Sequence, residues 1–547
     1  SEAVRVAFAE SSEWRALLSL FGLLACSVPL QLKAAIFQFL SNLAKSDRLN
    51  QQLWEAAIHS GLFFASEQAA GKTSSGVQRE LEEVESRAEE FPSTLGFLTF
   101  ASALLSHSLL PNNPEVMTSF VDFVSLRILA TFQSRSYRNA AEMWRMGALA
   151  VEILWKLIRT VELSVESVKR RTPACLVMTQ LMDDGPVFRA VMSILDEGIR
   201  LLDLYSNLPG KPELELGSLR ALQLLDAALV REALFCDALR DAAAPTLTSR
   251  LHLLLQSLNT RNMQADHLTT IAFYTSFNPE LPRHAFTAVH ILHCFAGGAA
   301  TSVGMEAKLV QYFTKRTVTS QRILAGFVDC LLLDVEAAST PEKESAQLQR
   351  ISDDNLDLLS AAEVKIRTAL LILDTVQRSL SPISTSAHHL AYFLLGFNQK
   401  QPHLTHLENP GVGDTRKTCF HSVISLLSSS YAVSPVLLER AAGILRSLAL
   451  DPATMEPTLR FLRANHDLVY QLLLNLESDF ESDPVRAKYA GHLMSLGAAE
   501  LFLTALTNQR SQTLRLADLL MEQEGGGEGL RKKRRRNSLD QLTLLGY

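Results

Sequence analysis

GVQRELEEVESRAEEFPSTLGFLTFASALLSHSLL, residues 76–110, is the stretch whose reading decides the fold. Val77, Leu81, Val84, Ala88 and Phe91 recur at steps of four and three, which draws one apolar stripe down a helix. Glu80, Glu82, Glu85 and Glu89 fall on the opposite face, and Glu83 precedes Arg87 by one turn, a favourable direction for an ion pair. Pro92 stops this helix by pushing Phe91 out of helical geometry. A far more apolar helix follows over residues 93–110, until Pro111 and Pro114 end it. A half-exposed helix, a tight turn and a nearly buried helix make an αα-hairpin. The glutamate face reads as a solvated ridge or as a contact for a basic partner segment.

Working outward, the same unit recurs. Upstream, residues 13–25 and 31–44 read as helices, the second with Leu32, Ile36, Phe39, Leu40 and Leu43 on one face. Ser46-Asp47 offers an N-cap for a third. Downstream, residues 115–133 carry a face of Phe120, Val124, Ile128 and Leu129, and residues 139–163 one of Trp144, Ala148, Val151, Trp155 and Ile158. Further helices are expected at 187–205, 218–240, 317–333, 356–380 and 387–397, with five or six more between 418 and 522. No convincing run of alternating apolar and polar residues exceeds four. The predicted fold class is therefore all-α, and the lack of a fixed repeat period points to an irregular solenoid of HEAT- or armadillo-like hairpins. Polar stretches divide it: solenoid over 1–337, a polar loop at 338–355, solenoid over 356–524 and a flexible basic tail at 525–547.

Bulk properties agree. At 547 residues the chain exceeds what one hydrophobic core supports, whereas an array that buries only its neighbours has no such limit. Hydrophobic content of 47% with 20% charge is that of a folded chain. Net charge is −6. Of the 52 basic residues six lie in one run, so 46 remain against 58 acidic ones elsewhere, and no direct contact with nucleic acid is expected. Cys26, Cys175, Cys236, Cys294, Cys330 and Cys419 are scattered without paired spacing, as in a reducing compartment. Residues 17–32 and 91–114 lack charge, but prolines shorten both below the ~20 residues a membrane span needs; the chain is read as not membrane-spanning. It opens at Ser1 without a basic-then-apolar leader and reads as one piece of a longer protein.

Signs of chemistry are few. Ser66 to Thr73 ends in Gly71-Lys72-Thr73 like a phosphate loop, yet Ser66 stands where the backbone wrap needs glycine. His284, His290, His293 and Cys294 form one cluster, and His388, His389, His403, His406, Cys419 and His421 a second. Neither has the short paired spacing of a zinc site. Asp183-Asp184 and Asp353-Asp354 precede helices, where carboxylates favour the positive end of the dipole. No catalytic, cofactor or metal residue is assigned, and the chain is read as no enzyme. One sharp local signal remains: Arg531, Lys532, Lys533, Arg534, Arg535 and Arg536 follow a triglycine, which reads equally as a basic targeting or contact run, with Ser538 as a phosphosite beside it, or as a plain solubilising tail.

The residues of 76–92 resemble a signature of the large inner-ring scaffold nucleoporins of the nuclear pore complex, the two-hundred-and-five or one-hundred-and-ninety-two kilodalton family. Other segments follow in that family's order. They are Tyr137-Arg138 with Ala141-Glu142 and Trp144, Val151-Glu152-Ile153 with Lys156-Leu157 and Arg159, and Pro209-Gly210-Lys211. Leu324 to Val328 with Cys330, Leu394 to Phe397, Asn409 to Val412 and Thr418-Cys419 come next. Pro457 to Arg460 with Leu462-Arg463, and Asn508 to Ser511 with Thr513 and Arg515-Leu516, close the series. The resemblance covers about residues 31–520 and is not expected to extend over 525–547. It implies a curved α-solenoid at the nuclear pore complex of the nuclear envelope. Its role would be that of a non-enzymatic adaptor binding short linear motifs of a coiled-coil linker nucleoporin, a membrane-associated nucleoporin and an autoproteolysing FG nucleoporin. A karyopherin-like transport receptor, or the related inner-ring paralogue, is the alternative. Partner-contact residues are not assigned.

Overall fold

In a computed structural model, residues 2, 5, 16–62, 76–106, 110–111, 113–160, 163–202, 208–243, 249–257, 266–297, 305–333, 353–380, 390–408, 417–429, 433–476 and 483–524 are described. Among them are helices and no β-strand. Two compact units divide the chain: Ser1–Phe277 with Arg283–Phe295, and Asn278–Pro282 with Ala296–Tyr547. In the first, long helices follow one another as neighbours: Leu30–Leu43 packs on Pro92–Leu104, that on Ala140–Arg159, and that on Lys211–Asp241, which also meets Pro186–Leu202. In the second, Thr317–Leu331 packs on Ala361–Ser379, that on Pro435–Leu450, and that on Pro484–Leu506, which meets Arg510–Glu524. Each long helix buries its stripe on the one before and the one after, which is how a solenoid builds a continuous core from short units. The expected all-α solenoid of hairpins is what the chain forms.

The opening hairpin is present but its register differs from expectation. Residues 77–88 are helical, with a π-turn over Glu80–Glu85 between α-helical Val77–Arg79 and Ser86–Ala88. The N–H of Ser86 bonds back to the Leu81 carbonyl, five residues earlier, and so does its hydroxyl at 2.6 Å. A π-turn takes one residue more than an α-turn, so every later side chain is rotated relative to a 3.6-residue reading. Val84, expected in the stripe, is 47% exposed, while Glu85, expected on the ridge, is fully buried. Only part of the glutamate face is therefore a ridge: Glu82 and Glu89 are exposed, Glu80 pairs with Lys33, and Glu83 pairs with Arg79 at 2.9 Å.

Glu85 has a purpose inside. Helix Pro92–Leu104 starts in the interior, and its first amides have no intrahelical partners. Glu85 Oε1 accepts from Ser93 N at 2.7 Å and Thr94 N at 3.2 Å, and the Thr94 hydroxyl donates to Oε2. Beside it, Ser93 Oγ donates to Glu80 Oε2 at 2.8 Å, and Lys33 Nζ donates to the Leu24 carbonyl at 2.8 Å. Lys33 thereby becomes a buried member of helix Leu30–Leu43 and takes a place on its inner face with Ile36, Phe37, Leu40 and Ser41. Leu32 and Phe39, expected on that face, are exposed. The 3–4 spacing fits two adjacent stripes, and the buried ammonium selects the one that reaches Glu80.

Other boundaries shift for local reasons. The helix expected at 218–240 begins at Lys211, because Pro212 fits the first turn and Gly210 lies just before it. Gly210 has φ +81°, and a Cβ there would sit 2.8 Å from Ala141 Cα, so the start of one long helix is wedged against the start of another. The expected face of the 139–163 helix is confirmed: Trp144, Ala148, Val151, Trp155 and Ile158 are all buried in Ala140–Arg159. The uncharged stretches hold helices Ala16–Ala25 and Pro92–Leu104, and no described helix is long and apolar enough to cross a membrane.

Glu85→Ala should cost about 2–4 kcal/mol by leaving buried amides without an acceptor, whereas Glu82→Lys and Glu89→Lys should stay within about 0.5 kcal/mol; urea midpoints distinguish them. Burial pushes Glu85 from its ordinary 4.5 up to about 7. The unfolded chain then loses this proton first, so stability falls as pH rises from about 4.5 to 7 and levels off above. Glu85→Gln should remove that part of the slope, up to ~3 kcal/mol over the window, with the urea midpoint followed against pH. Gly210→Ala combines left-handed strain with overlap on Ala141 and should lower stability by about 2–4 kcal/mol in the same assay.

Candidate docking groove

Several of the segments that resemble a family signature sit at joints between helices, while Leu324–Val328 lies within helix Thr317–Leu331 and 409–412 lie outside the described residues. At the turn after the π-helical segment, Glu89 adopts φ 57° and its carbonyl accepts from Arg138 N at 2.9 Å. Arg138 also pairs with Glu90, Phe91 N donates to Glu142 Oε2 at 3.3 Å, and the Phe91 and Tyr137 rings lie 4.8 Å apart. About three turns further along the two helices, Ser102 Oγ donates to Glu152 Oε1 at 2.9 Å and Lys156 Nζ donates to the Ser102 carbonyl at 2.8 Å. Trp155 carries the Arg159 and Arg220 guanidiniums 4.4 and 4.3 Å from its ring centre. In the second unit, Thr418 Oγ1 donates to the Leu395 carbonyl at 2.9 Å, and Arg463 Nε lies 2.8 Å from Glu500 Oε1. Burial raises Glu500 to about 7 against the pull of Arg463. These groups are spent on packing.

The suspected chemical residues separate in the same way. His284 is buried, its Nε2 3.0 Å from both Ser218 Oγ and the Glu215 carbonyl, and burial holds it down to about 4. His290 lies instead beside Asp226, Nδ1 to Oδ1 2.7 Å. In the second cluster, Cys419 is fully buried with its thiol pushed up by desolvation, and His421 Nδ1 accepts from Thr418 N at 3.2 Å in a capping box. Asp184 pairs with Arg189 at 3.1 Å. The 66–73 loop, His388, His389, the basic run 531–536 and Ser538 lie outside the described residues, as does most of 338–355. None of the six cysteines is joined in a disulfide.

What the joints leave open is a groove in the second unit, of about 460 Å³, between helices Cys419–Leu427, Met455–Ala464 and Leu468–Leu474. Ile424, Phe461 and Leu468 supply its apolar floor, while Asn465 and Gln471 offer amides at the wall. The Phe461 ring is held edge-on 5.4 Å from both Phe420 and His421. Burial holds the His421 pKa below its ordinary value, which disfavours the charged ring there. An apolar floor with a few amide donors and acceptors suits an amphipathic or extended peptide. The sequence reading did not find this groove; its residues come from three helices and share no motif.

Residues 1–545 match the model of a family described as "Nuclear pore complex scaffold, nucleoporins 186/192/205". The match runs through the basic run, where the resemblance was not expected to reach. Among curated relatives, the human nuclear pore complex protein Nup205 is 30% identical over 552 residues, covering 95% of this chain. The Drosophila melanogaster nuclear pore complex protein Nup205 is 25% identical over 579 residues, also covering 95%. The chain spans 27% of the length of each. With a family match along nearly every residue and an all-helical hairpin fold beneath it, this chain belongs to the nuclear pore complex scaffold family of nucleoporins 186/192/205.

Proposed function

We propose that the chain acts as a non-enzymatic scaffold and adaptor in the inner ring of the nuclear pore complex. In this reading it holds short linear motifs of partner nucleoporins in grooves between its hairpins and so supports nucleocytoplasmic transport. The partners are the coiled-coil linker nucleoporin, the membrane-associated nucleoporin and the FG nucleoporin. The observation that carries the reading is the scaffold-family match over residues 1–545. Supporting it, the strongly perturbed groups Glu85, His284 and Glu500 are each engaged in helix packing, as structural groups are. The groove floored by Ile424, Phe461 and Leu468 is the docking site proposed for one such motif. Arg531 to Arg536 act as a separate contact or targeting run, weakened when Ser538 is phosphorylated.

Peptides from the linker, membrane-associated and FG nucleoporins, immobilised and offered the folded chain, should retain it. Ser425→Trp places a large side chain at an exposed groove position and should weaken at least one of these contacts tenfold or more, about 1.4 kcal/mol, with circular dichroism unchanged. Retention by none of the peptides overturns the adaptor reading; retention unaffected by Ser425→Trp overturns the groove assignment alone. Deleting residues 531–536 should reduce targeting to the nuclear envelope in cells.

A further inference from the structure

Within the first unit, three metal-ligand types converge, one of them 64 residues before the nearer of the other two in sequence. Asp226 lies in the middle of helix Lys211–Asp241, and His290 and Cys294 lie one turn apart on helix Pro282–Gly297. A carboxylate oxygen, an imidazole nitrogen and a sulfur from these residues all lie within 4.8 Å of one another. We propose that Asp226, His290 and Cys294 form a site for a zinc-class divalent transition-metal ion.

Several features favour an ion over a plain polar contact. The two helices are tied to each other elsewhere, by Ser218 Oγ and His284 Nε2 at 3.0 Å, so the donors sit on a fixed frame. The His290 ring is flanked by Phe286, centroids 6.1 Å apart and 11° from parallel, and by His293 at 6.5 Å and 17°. Both neighbours limit its rotation and keep Nδ1 toward Asp226. Asp226 is buried, whereas His290 and Cys294 are partly exposed, which leaves a path for an ion and room for a water as fourth ligand. Tetrahedral zinc, with bonds of about 2.0–2.3 Å, sets donor atoms roughly 3.3–3.7 Å apart. The 2.7 Å separation of His290 and Asp226 must open slightly, and the sulfur must swing in, by side-chain torsion alone. On binding, the Cys294 thiol releases its proton to solvent and the thiolate coordinates, while His290 Nδ1 gives up the proton it donates to Asp226 and the ring, still neutral, carries its proton on Nε2. Thiolate and carboxylate together balance the charge of the ion. An imidazole and a thiolate favour zinc or cobalt over magnesium or calcium. The sequence grouped His290 and Cys294 in one cluster with His284 and His293 and assigned no metal ligand; Asp226 was not part of it.

The test is cobalt(II) titration of the reduced 547-residue chain after chelator treatment. The expected result is uptake of a single equivalent with a near-ultraviolet thiolate-to-cobalt band and intense visible bands of tetrahedral cobalt, all displaced by zinc(II). Cys294→Ser should lose the near-ultraviolet band, His290→Gln should weaken binding at least tenfold, and Cys26→Ser should behave as the parent. Absence of the band in chain of unchanged helical content overturns the proposal and leaves Asp226–His290 as a structural hydrogen bond. Persistence of the band in Cys294→Ser overturns it equally.

Discussion

A helix that begins inside a protein must find acceptors for its first amide groups, and the first unit meets that demand with one buried carboxylate. Glu85 accepts from Ser93 and Thr94 at the start of Pro92–Leu104, the helix packed between Leu30–Leu43 and Ala140–Arg159. To point inward, Glu85 needs the extra residue of the π-turn over Glu80–Glu85. At the start of that turn Glu80 pairs with Lys33, a buried residue on the inner face of Leu30–Leu43. A single capping site thus links three helices. Its electrostatic cost is visible in the raised affinity of Glu85 for its proton, a desolvation effect that its hydrogen bonds only partly offset.

The joints between hairpins obey a related logic. In an array where each unit touches only its neighbours, no central core corrects a misplaced helix. The angle between successive helices must be set locally, by groups with directional bonding or by close backbone approach. Arg138 and Glu142 on the Glu89–Phe91 turn, Gly210 on Ala141, and Thr418 on Leu395 do this work. All belong to segments through which the family is recognisable. In these segments the residues that resemble the family also fix the angle between hairpins of this chain.

The proposed docking groove in the second unit has an apolar floor, and two of its lining residues, His421 and Phe461, also take part in packing, His421 by capping the helix at Thr418 and Phe461 by lying edge-on to Phe420. The Asp226–His290–Cys294 cluster belongs to a third class: polar groups between two long helices whose relative placement is already secured by Ser218 and His284.

Periodicity alone determined the all-α hairpin architecture, since spacings of three and four with proline stops are local properties that hold whatever the chain packs against. It also located the inner face of Ala140–Arg159, where a wide apolar stripe left only one stable orientation. Ordered fragments such as those at 76–92, 137–144 and 209–211 were enough to suggest the family. The π-turn was not legible, because it is stabilised by Glu85 reaching amides eight and nine residues on and by Ser86 bonding to Leu81, not by any residue propensity. Nor was the choice between two adjacent stripes on Leu30–Leu43, which a lysine decided by finding a distant glutamate. The groove and the Asp226 cluster join residues from helices far apart in the chain. Only packing brings such donors and faces together, and so only the tertiary structure decided where they meet.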